Sequence, residues 1–209
     1  MRMKIIVAAG FTCLLASGCG GAASSSDGVD SKATPTGTIL PQRLDQPDTS
    51  PDLEADAPAD DAPFSKQLEH ELSVRTLKMA QGEGKATAQC PSDIESNKGR
   101  TAACTTTYDG LKIRWDVTIG DTAAWSESYV EYKATPSTGI ITKAGVAKLL
   151  FGNYKGYIDY ALCNNIPKAT LVPLNVETKY KCEVVDKGKK PTGFATSTVR
   201  ATEAGPRAY

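Results

Sequence analysis

The reactive side chains of this 209-residue chain are mainly its six cysteines. A thiolate can attack a substrate as a nucleophile, bind a metal ion or form a disulfide. No two of the cysteines have the C-x-x-C spacing of common zinc sites, and His70 is the single histidine. The sequence therefore predicts neither a metal site nor a thiol nucleophile. The cysteines are Cys13, Cys19, Cys90, Cys104, Cys163 and Cys182.

The N-terminus is organised like an export signal. Arg2 and Lys4 form a short positive region, and residues 5–15 form an apolar run too short to span a membrane as a stable helix. The stretch L-A-S-G-C that ends at Cys19 resembles the lipobox of bacterial lipoproteins. The resemblance implies that residues 1–18 are a lipoprotein signal peptide and that Cys19 carries lipid, which anchors the protein on the extracytoplasmic face of the cell membrane. The alternative is ordinary secretion with Cys19 free.

Four cysteines remain once the signal peptide and Cys19 are set aside. Exported proteins fold in oxidising surroundings, so an even number of remaining cysteines predicts two disulfides. Of the three possible connectivities we favour the local one, Cys90–Cys104 and Cys163–Cys182.

The other candidate catalytic residues do not form a recognised catalytic motif. His70 lies on a predicted helix and is interpreted as solvated or half-packed. Glu127 and Glu131 are a candidate carboxylate pair for acid–base chemistry, although charges on a solvent-facing strand usually serve solubility. Gly82 and Gly84 lack the Gly-Lys-Ser/Thr continuation of a phosphate-binding loop. We therefore predict a protein that is not an enzyme and has no catalytic residue, no metal and no cofactor.

A basic turn is the main candidate for binding. Lys187, Lys189 and Lys190 lie in a predicted hairpin connection, and a solvated hairpin end is the simpler interpretation. Together with cations on the adjoining strands, they predict a face for an anionic cell-wall polymer, a lipid headgroup or a secreted protein. Nucleic acid is not an expected partner, because aromatic residues are not interleaved with the lysines. The strand cations are Lys179, Lys181 and Arg200.

Composition and charge divide the chain into segments. Residues 19–62 carry nine acidic and two basic residues and few apolar ones, so we expect a disordered acidic tether that begins at the lipidated cysteine. Residues 141–209 carry five acidic and eleven basic residues. We place a first folded module at 63–140 and a second at 141–209.

Periodicity suggests the same order of elements in both modules. Helical spacing predicts a helix from Phe64 to Met79, and the alternation from Leu111 to Ile119 predicts a strand with one buried face. In the second module a helix at 143–151 precedes two cysteine-bearing strands and a closing strand at 194–202. We therefore predict an α+β fold of two tandem small modules, each a helix packed on a short antiparallel β-sheet with one local disulfide. The alternative is one α+β domain.

The segment around Cys90 carries a family resemblance. The run Cys90-Pro91-x-Asp93, followed by Gly99 and Cys104, resembles the small secreted domain of unknown function found in actinobacterial lipoproteins. The resemblance covers about residues 64–133 and implies an exported, disulfide-linked domain without catalytic residues. The second module departs from this pattern.

Together these features predict a membrane-anchored lipoprotein that acts as a non-catalytic binding module at the cell envelope. The alternative is an inhibitor of a secreted enzyme, because tandem α/β repeats with one disulfide each are similar in plan to the β-lactamase inhibitor proteins of soil bacteria. Exposed aromatic residues would then be the candidate contact points. They are Trp125, Tyr129, Tyr132 and Tyr154.

Overall fold

A computed structural model of the chain describes residues 37–47, 57–59, 61–122 and 130–209. The predicted signal peptide and Cys19 lie outside the described residues. In chain order the described elements are β1 Gln42–Leu44, α1 Phe64–Ala80, β2 Ala86–Gln89, β3 Thr101–Tyr108, β4 Leu111–Thr122, β5 Val130–Pro136, β6 Gly139–Thr142, α2 Lys143–Asn153, β7 Ile158–Cys163, β8 Ala169–Val172, β9 Glu177–Asp186, β10 Thr196–Thr202 and β11 Gly205–Ala208.

Strands dominate the described part of the chain: 45% of it is strand, in eleven strands, and there are only two helices. The strands form a four-stranded sheet in the order β2-β3-β4-β5, a five-stranded sheet in the order β1-β7-β9-β10-β11, and a two-stranded β6-β8 ribbon. The predicted α+β fold of two tandem helix-on-sheet modules is therefore wrong.

The four-stranded sheet packs against α1 around the predicted alternating strand. The side chains at every second position from Ile113 to Ile119 are buried, and those between them are exposed. Asp109 and Gly110, which join β3 to β4, have φ values of 47° and 81°, as a two-residue hairpin turn requires. Leu72 of α1 is fully buried against this face. The sheet and the helix thus enclose a first core.

The five-stranded sheet packs against α2 around a second core. Val146 and Leu150 of α2 are buried there. The outermost strand, β1, comes from the stretch predicted to be a tether. It pairs antiparallel with β7, and Leu44 is 2% exposed. Residues 42–44 therefore belong to the folded region, because sheet pairing satisfies their backbone groups and the core receives their leucine.

The β6-β8 ribbon contributes to both cores. Ile140 is buried in the first core and Ile141 in the second, because successive strand residues point to opposite faces. The Thr142 hydroxyl donates to the carbonyl oxygen of Ala80, at the end of α1, over 2.7 Å, and it accepts the N–H of Gly145, in α2, over 2.8 Å. This sharing explains why the tandem arrangement is wrong, and the described residues belong to one compact unit.

Gly145 stands where the two helix ends meet. A Cβ at this position would collide with the carbonyl oxygen of Ala80. We therefore expect Gly145→Ala to lower the free energy of unfolding by about 1–3 kcal/mol. Gly152→Ala in the same helix, where a Cβ would meet nothing within 4 Å, is the control and should raise this free energy by about 0.5–1 kcal/mol. Urea denaturation measures both values, and equal effects would argue against the close contact.

Candidate functional site

The two predicted disulfide bonds are present, with the local connectivity. Cys163 and Cys182 face each other across β7 and β9 with their Cα atoms 4.1 Å apart, and both are buried in the second core. Cys90 is bonded to Cys104, which is buried in the first core. Each core is thus crosslinked once, over sequence separations of 14 and 19 residues.

Only some of the acid–base candidates fall within the described residues. His70 is half-buried on α1 and Glu131 is exposed on β5, whereas Glu127 lies outside the described residues. The described ranges contain no group of three His, Cys, Asp or Glu side chains suited to a metal ion. They also contain no helix long and apolar enough to cross a membrane.

The aromatic residues proposed as contact points are in different settings. Trp125 and Tyr129 lie outside the described residues, and Tyr132 packs against the first core. Tyr154, which follows α2, is 43% exposed. The tandem-repeat plan that suggested an inhibitor is not the fold of this chain, so that analogy loses its structural basis.

The basic tip, defined as Lys187, Lys189 and Lys190, is exposed in the connection between β9 and β10. None of the three side chains forms an ion pair with another described residue. The tip therefore presents three positive charges to solvent.

The strand cations do not join the basic tip. Arg200 forms an ion pair with Glu177 and is therefore largely neutralised. Lys179 and Lys181 are exposed on β9, six or more residues before Lys187, which is about 20 Å along an extended strand. The anionic-ligand face expected from the sequence is thus limited to the basic tip.

The buried carboxylate of Glu183 binds the loop that carries the basic tip. Glu183, which is 2% exposed, accepts hydrogen bonds from the backbone N–H of Thr192 over 2.6 Å, from its hydroxyl over 2.8 Å, and from the N–H of Gly193 over 2.9 Å. Burial raises the pKa of this carboxyl, but the three hydrogen bonds outweigh burial and hold the pKa below its ordinary value of 4.5. The loop is therefore tied to β9 by an ionised side chain.

Glu183→Gln should lower the free energy of unfolding at pH 7 by about 1.5–3 kcal/mol, because an amide nitrogen would face the backbone donors. The carboxyl has a lower pKa in the folded than in the unfolded protein. Its stabilisation is therefore complete above pH 4.5 and is lost as the pH falls through the folded-state pKa. Urea denaturation at a series of pH values should show the difference between the two proteins shrinking in that acidic range.

The control for this prediction is Glu177→Gln, at an exposed ion pair on the same strand. Glu177→Gln should lower the free energy of unfolding by less than about 1 kcal/mol at any pH. A Glu183→Gln effect that did not change with pH would show that the carboxylate charge is not what holds the loop.

A groove with a volume of about 460 Å³ lies beside β1, where parts of both cores come together. Its wall includes the turn after α1, the end of β3, the start of α2 and the loop before β8. We define this seam groove by a buried floor of Leu44, Tyr108, Ala147 and Ile166 and an exposed rim of Arg43, Asp45, Glu83, Lys143 and Lys168.

The rim of the seam groove carries three cationic and two acidic side chains. Lys143 is exposed and forms no ion pair with a described residue. The Lys168 Nζ atom lies 2.8 Å from Asp109 Oδ2, and this contact raises the pKa of the lysine. The Arg43 Nε atom lies 2.8 Å from Asp45 Oδ1. The three cations are thus matched in number by the carboxylates of Asp45, Glu83 and Asp109.

Tyr108 is the only titratable group on the floor of the seam groove. Its hydroxyl donates a hydrogen bond to the carbonyl oxygen of Glu83 over 2.6 Å, and burial raises its pKa to about 12. The phenol is therefore protonated at neutral pH and does not serve as a base there. The Thr142 hydroxyl, also at the groove, already donates to Ala80. The floor residues are 5% exposed or less, so the groove offers little apolar surface to a ligand.

Sequence reasoning missed the seam groove because its residues come from five separate stretches of the chain. One signal was available. Ile39, Leu40 and Leu44 are apolar residues within a stretch otherwise rich in small and acidic residues. Apolar residues inside a predicted tether indicate a segment that packs against the folded region, because burying their side chains is favourable.

The chain matches no known protein family, no curated protein and no solved structure. The resemblance of residues 64–133 to the secreted domain of actinobacterial lipoproteins therefore stays a prediction.

Proposed function

We propose that the protein is a lipid-anchored, extracytoplasmic lipoprotein that binds its partner without catalysis at the cell envelope. The observation that carries the proposal is the pair of disulfides, one in each core. Disulfides persist in oxidising compartments and are rare in the cytosol. A chain that contains two disulfides and an export-like signal ending at Cys19 fits a location outside the cytoplasm.

The anchor gives the folded region a limited reach. Gly37, where the described region begins, is the eighteenth residue after Cys19. Such a length spans at most about 65 Å when fully extended. The folded region therefore works within that distance of the membrane surface, among the polymers and headgroups of the envelope.

The basic tip supplies the contact with the partner. Its three lysines are exposed and unpaired among the described residues, so they are available to an anionic cell-wall polymer or lipid headgroup. The excess of eleven basic over five acidic residues in 141–209 favours the same partners. A secreted protein with an acidic surface is the remaining kind of partner.

The anchor is tested by expressing the full chain and Cys19→Ala in a bacterial host. We expect the unaltered chain in the membrane fraction, with a mass that includes the lipid at Cys19, and the variant in the soluble extracytoplasmic fraction. Recovery of both forms in the cytosol, or of an unprocessed N-terminus, would overturn the proposal.

The tip is tested by retention on protein-free cell walls and on vesicles of anionic or neutral phospholipid. Reversal of the three tip charges should abolish retention on the anionic material. A matched variant reverses three exposed lysines elsewhere and should leave retention largely intact, whereas equal losses would assign binding to net charge alone. The tip substitutions are Lys187→Glu, Lys189→Glu and Lys190→Glu, and the control substitutions are Lys85→Glu, Lys112→Glu and Lys133→Glu.

A further inference from the structure

We propose that the basic tip docks on the anionic bilayer that holds the lipid anchor, and that exposed apolar side chains beside the lysines insert into the interface of that bilayer. The inference deepens the proposed function, because it rests on the anchor at Cys19 and selects one of the partners considered for the basic tip. We define the tip surface as the basic tip together with Ile39, Tyr157 and Phe194, all of which are exposed.

The N-terminal segment enters the folded region against the loop that carries the basic tip. The Gly37 N–H donates to the carbonyl oxygen of Thr192 over 3.0 Å. Gly37 and Gly193 pack so closely that a Cβ on either one would collide with the backbone of the other. Thr192 is the second residue after Lys190, at most about 7 Å along the chain. The chain that leads back to Cys19 is therefore joined to the folded region beside the basic tip.

The length of the expected tether makes this point of attachment important for orientation. Gly37 is the eighteenth residue after Cys19. A flexible chain of that length has a root-mean-square span of roughly 20–25 Å, whereas a compact unit of about 170 residues is roughly 40 Å across. The tip surface therefore meets the bilayer at a higher effective concentration than a surface on the far side of the unit does.

Positive charge exceeds negative charge around the tip surface when the neighbouring carboxylates are counted. Lys155, in the turn before Tyr157, is exposed and adds a fourth cation to the three lysines of the basic tip. The nearby carboxylates are Asp159 and Asp186, which are exposed, and Glu183, which is buried under the loop. Four exposed cations thus stand against two exposed anions, and this excess favours a surface of anionic headgroups.

Exposed apolar side chains lie next to the lysines. Tyr157 is 76% exposed, and its carbonyl oxygen accepts the N–H of Lys187 over 2.9 Å. Phe194, in the loop itself, is 62% exposed, and Ile39, in the segment that contacts the loop, is 43% exposed. Such side chains are unfavourable in water, whereas the interface of a bilayer accommodates aromatic rings. The lysines alone would suit any anionic polymer, but apolar side chains beside them favour a bilayer.

The tip surface is held in shape by contacts that do not involve a membrane. Glu183 accepts hydrogen bonds from Thr192 and Gly193, and the Lys189 N–H donates to the carbonyl oxygen of Asp186 over 3.0 Å. The hydrogen bond from Gly37 adds a further link. Docking therefore does not have to order the backbone of this loop, which lowers its entropic cost.

Sedimentation with phospholipid vesicles tests the docking. The protein is the full exported chain with Cys19→Ala, so that the tip surface is measured without an acyl chain. The vesicles contain phosphatidylcholine alone, or equal parts of phosphatidylcholine and phosphatidylglycerol. We expect saturable binding to the anionic vesicles that is at least about tenfold tighter than binding to the neutral ones and that weakens as salt is added.

Two pairs of substitutions separate the apolar contact from the charge. Tyr157→Ser with Phe194→Ser keeps every lysine and should weaken binding to the anionic vesicles by about tenfold, because two side chains that enter the interface are lost. The matched control is Val176→Ser with Tyr209→Ser. These residues are 52% and 68% exposed, before β9 and after β11, and their replacement should change the binding by less than about twofold. Circular dichroism spectra matching that of the parent protein confirm that the variants are folded.

An environment-sensitive fluorophore reports which side of the molecule enters the bilayer. Attached at Phe194→Cys, it should shift its emission to shorter wavelength when anionic vesicles are added. Attached at Val176→Cys, at the opposite end of β9 from the basic tip, it should not shift.

The inference and the proposed function fail in different ways. Vesicle binding that Tyr157→Ser with Phe194→Ser leaves unchanged, or a fluorophore at Phe194→Cys that does not shift, overturns the membrane docking but leaves a role for the lysines. Retention on protein-free cell walls without binding to anionic vesicles also overturns it, in favour of a wall polymer. Failure of the anchor is detected separately, from the mass of the exported chain.

Discussion

Replacing Cys163 and Cys182 together by alanine is expected to lower the free energy of unfolding by about 3 kcal/mol. The bond joins two cysteines that are 19 residues apart in sequence, so its loss frees the unfolded chain from a closed loop. Both residues are buried in the second core, and alanine leaves no unpaired hydroxyl there as serine would. Urea denaturation followed by tryptophan fluorescence measures the change.

Two controls accompany this prediction. Cys90→Ala with Cys104→Ala removes the crosslink of the first core, over 14 residues, and should destabilise by a similar amount. Dithiothreitol should destabilise the parent protein and have no effect on a variant that lacks both disulfides. A loss below about 1 kcal/mol for either pair would show that the crosslinks matter little to the fold.

Leu44→Ala is expected to lower the free energy of unfolding by about 2–5 kcal/mol. Leu44 is 2% exposed and belongs to the second core, although its strand has only three residues. Removing the side chain leaves a cavity and weakens the only large apolar contact of β1. Amide hydrogen exchange should also become faster in β7, the strand that β1 covers.

Ile39→Ala is the matched control, in the same N-terminal segment. Ile39 is 43% exposed, so its truncation should change the free energy of unfolding by no more than about 0.5 kcal/mol. The docking of β1 would be refuted if Leu44→Ala lowered the free energy of unfolding no more than Ile39→Ala does. Unchanged amide hydrogen exchange in β7 would refute it as well.

Long elements with one buried face could be predicted from the sequence. The twelve residues of β4 alternate over its whole buried part, and the turn at Asp109 and Gly110 fixes its register with β3. The helix from Phe64 was equally visible, because its apolar residues recur over four turns. The cysteine pairing followed from sequence proximity alone.

Short buried strands could not be predicted in this way. All four residues of β6 are buried, so no alternation distinguishes the strand from the start of a helix. All four residues of β8 are half-buried and so show no alternation, and β1 lies in an acidic, proline-containing stretch. These three elements decide the topology through contacts between distant residues, and the seam groove depends on the same contacts.

The β6-β8 ribbon has a consequence for the order in which the chain gains structure. Whether the polypeptide emerges from a ribosome or from a membrane translocase, it arrives from the N-terminal end. The first core remains open until Ile140 and then Leu171 have emerged, and the second needs β1 from near the beginning and Val199 from near the end. The first core can therefore close once Leu171 has emerged, whereas the second core cannot close until Val199 has followed.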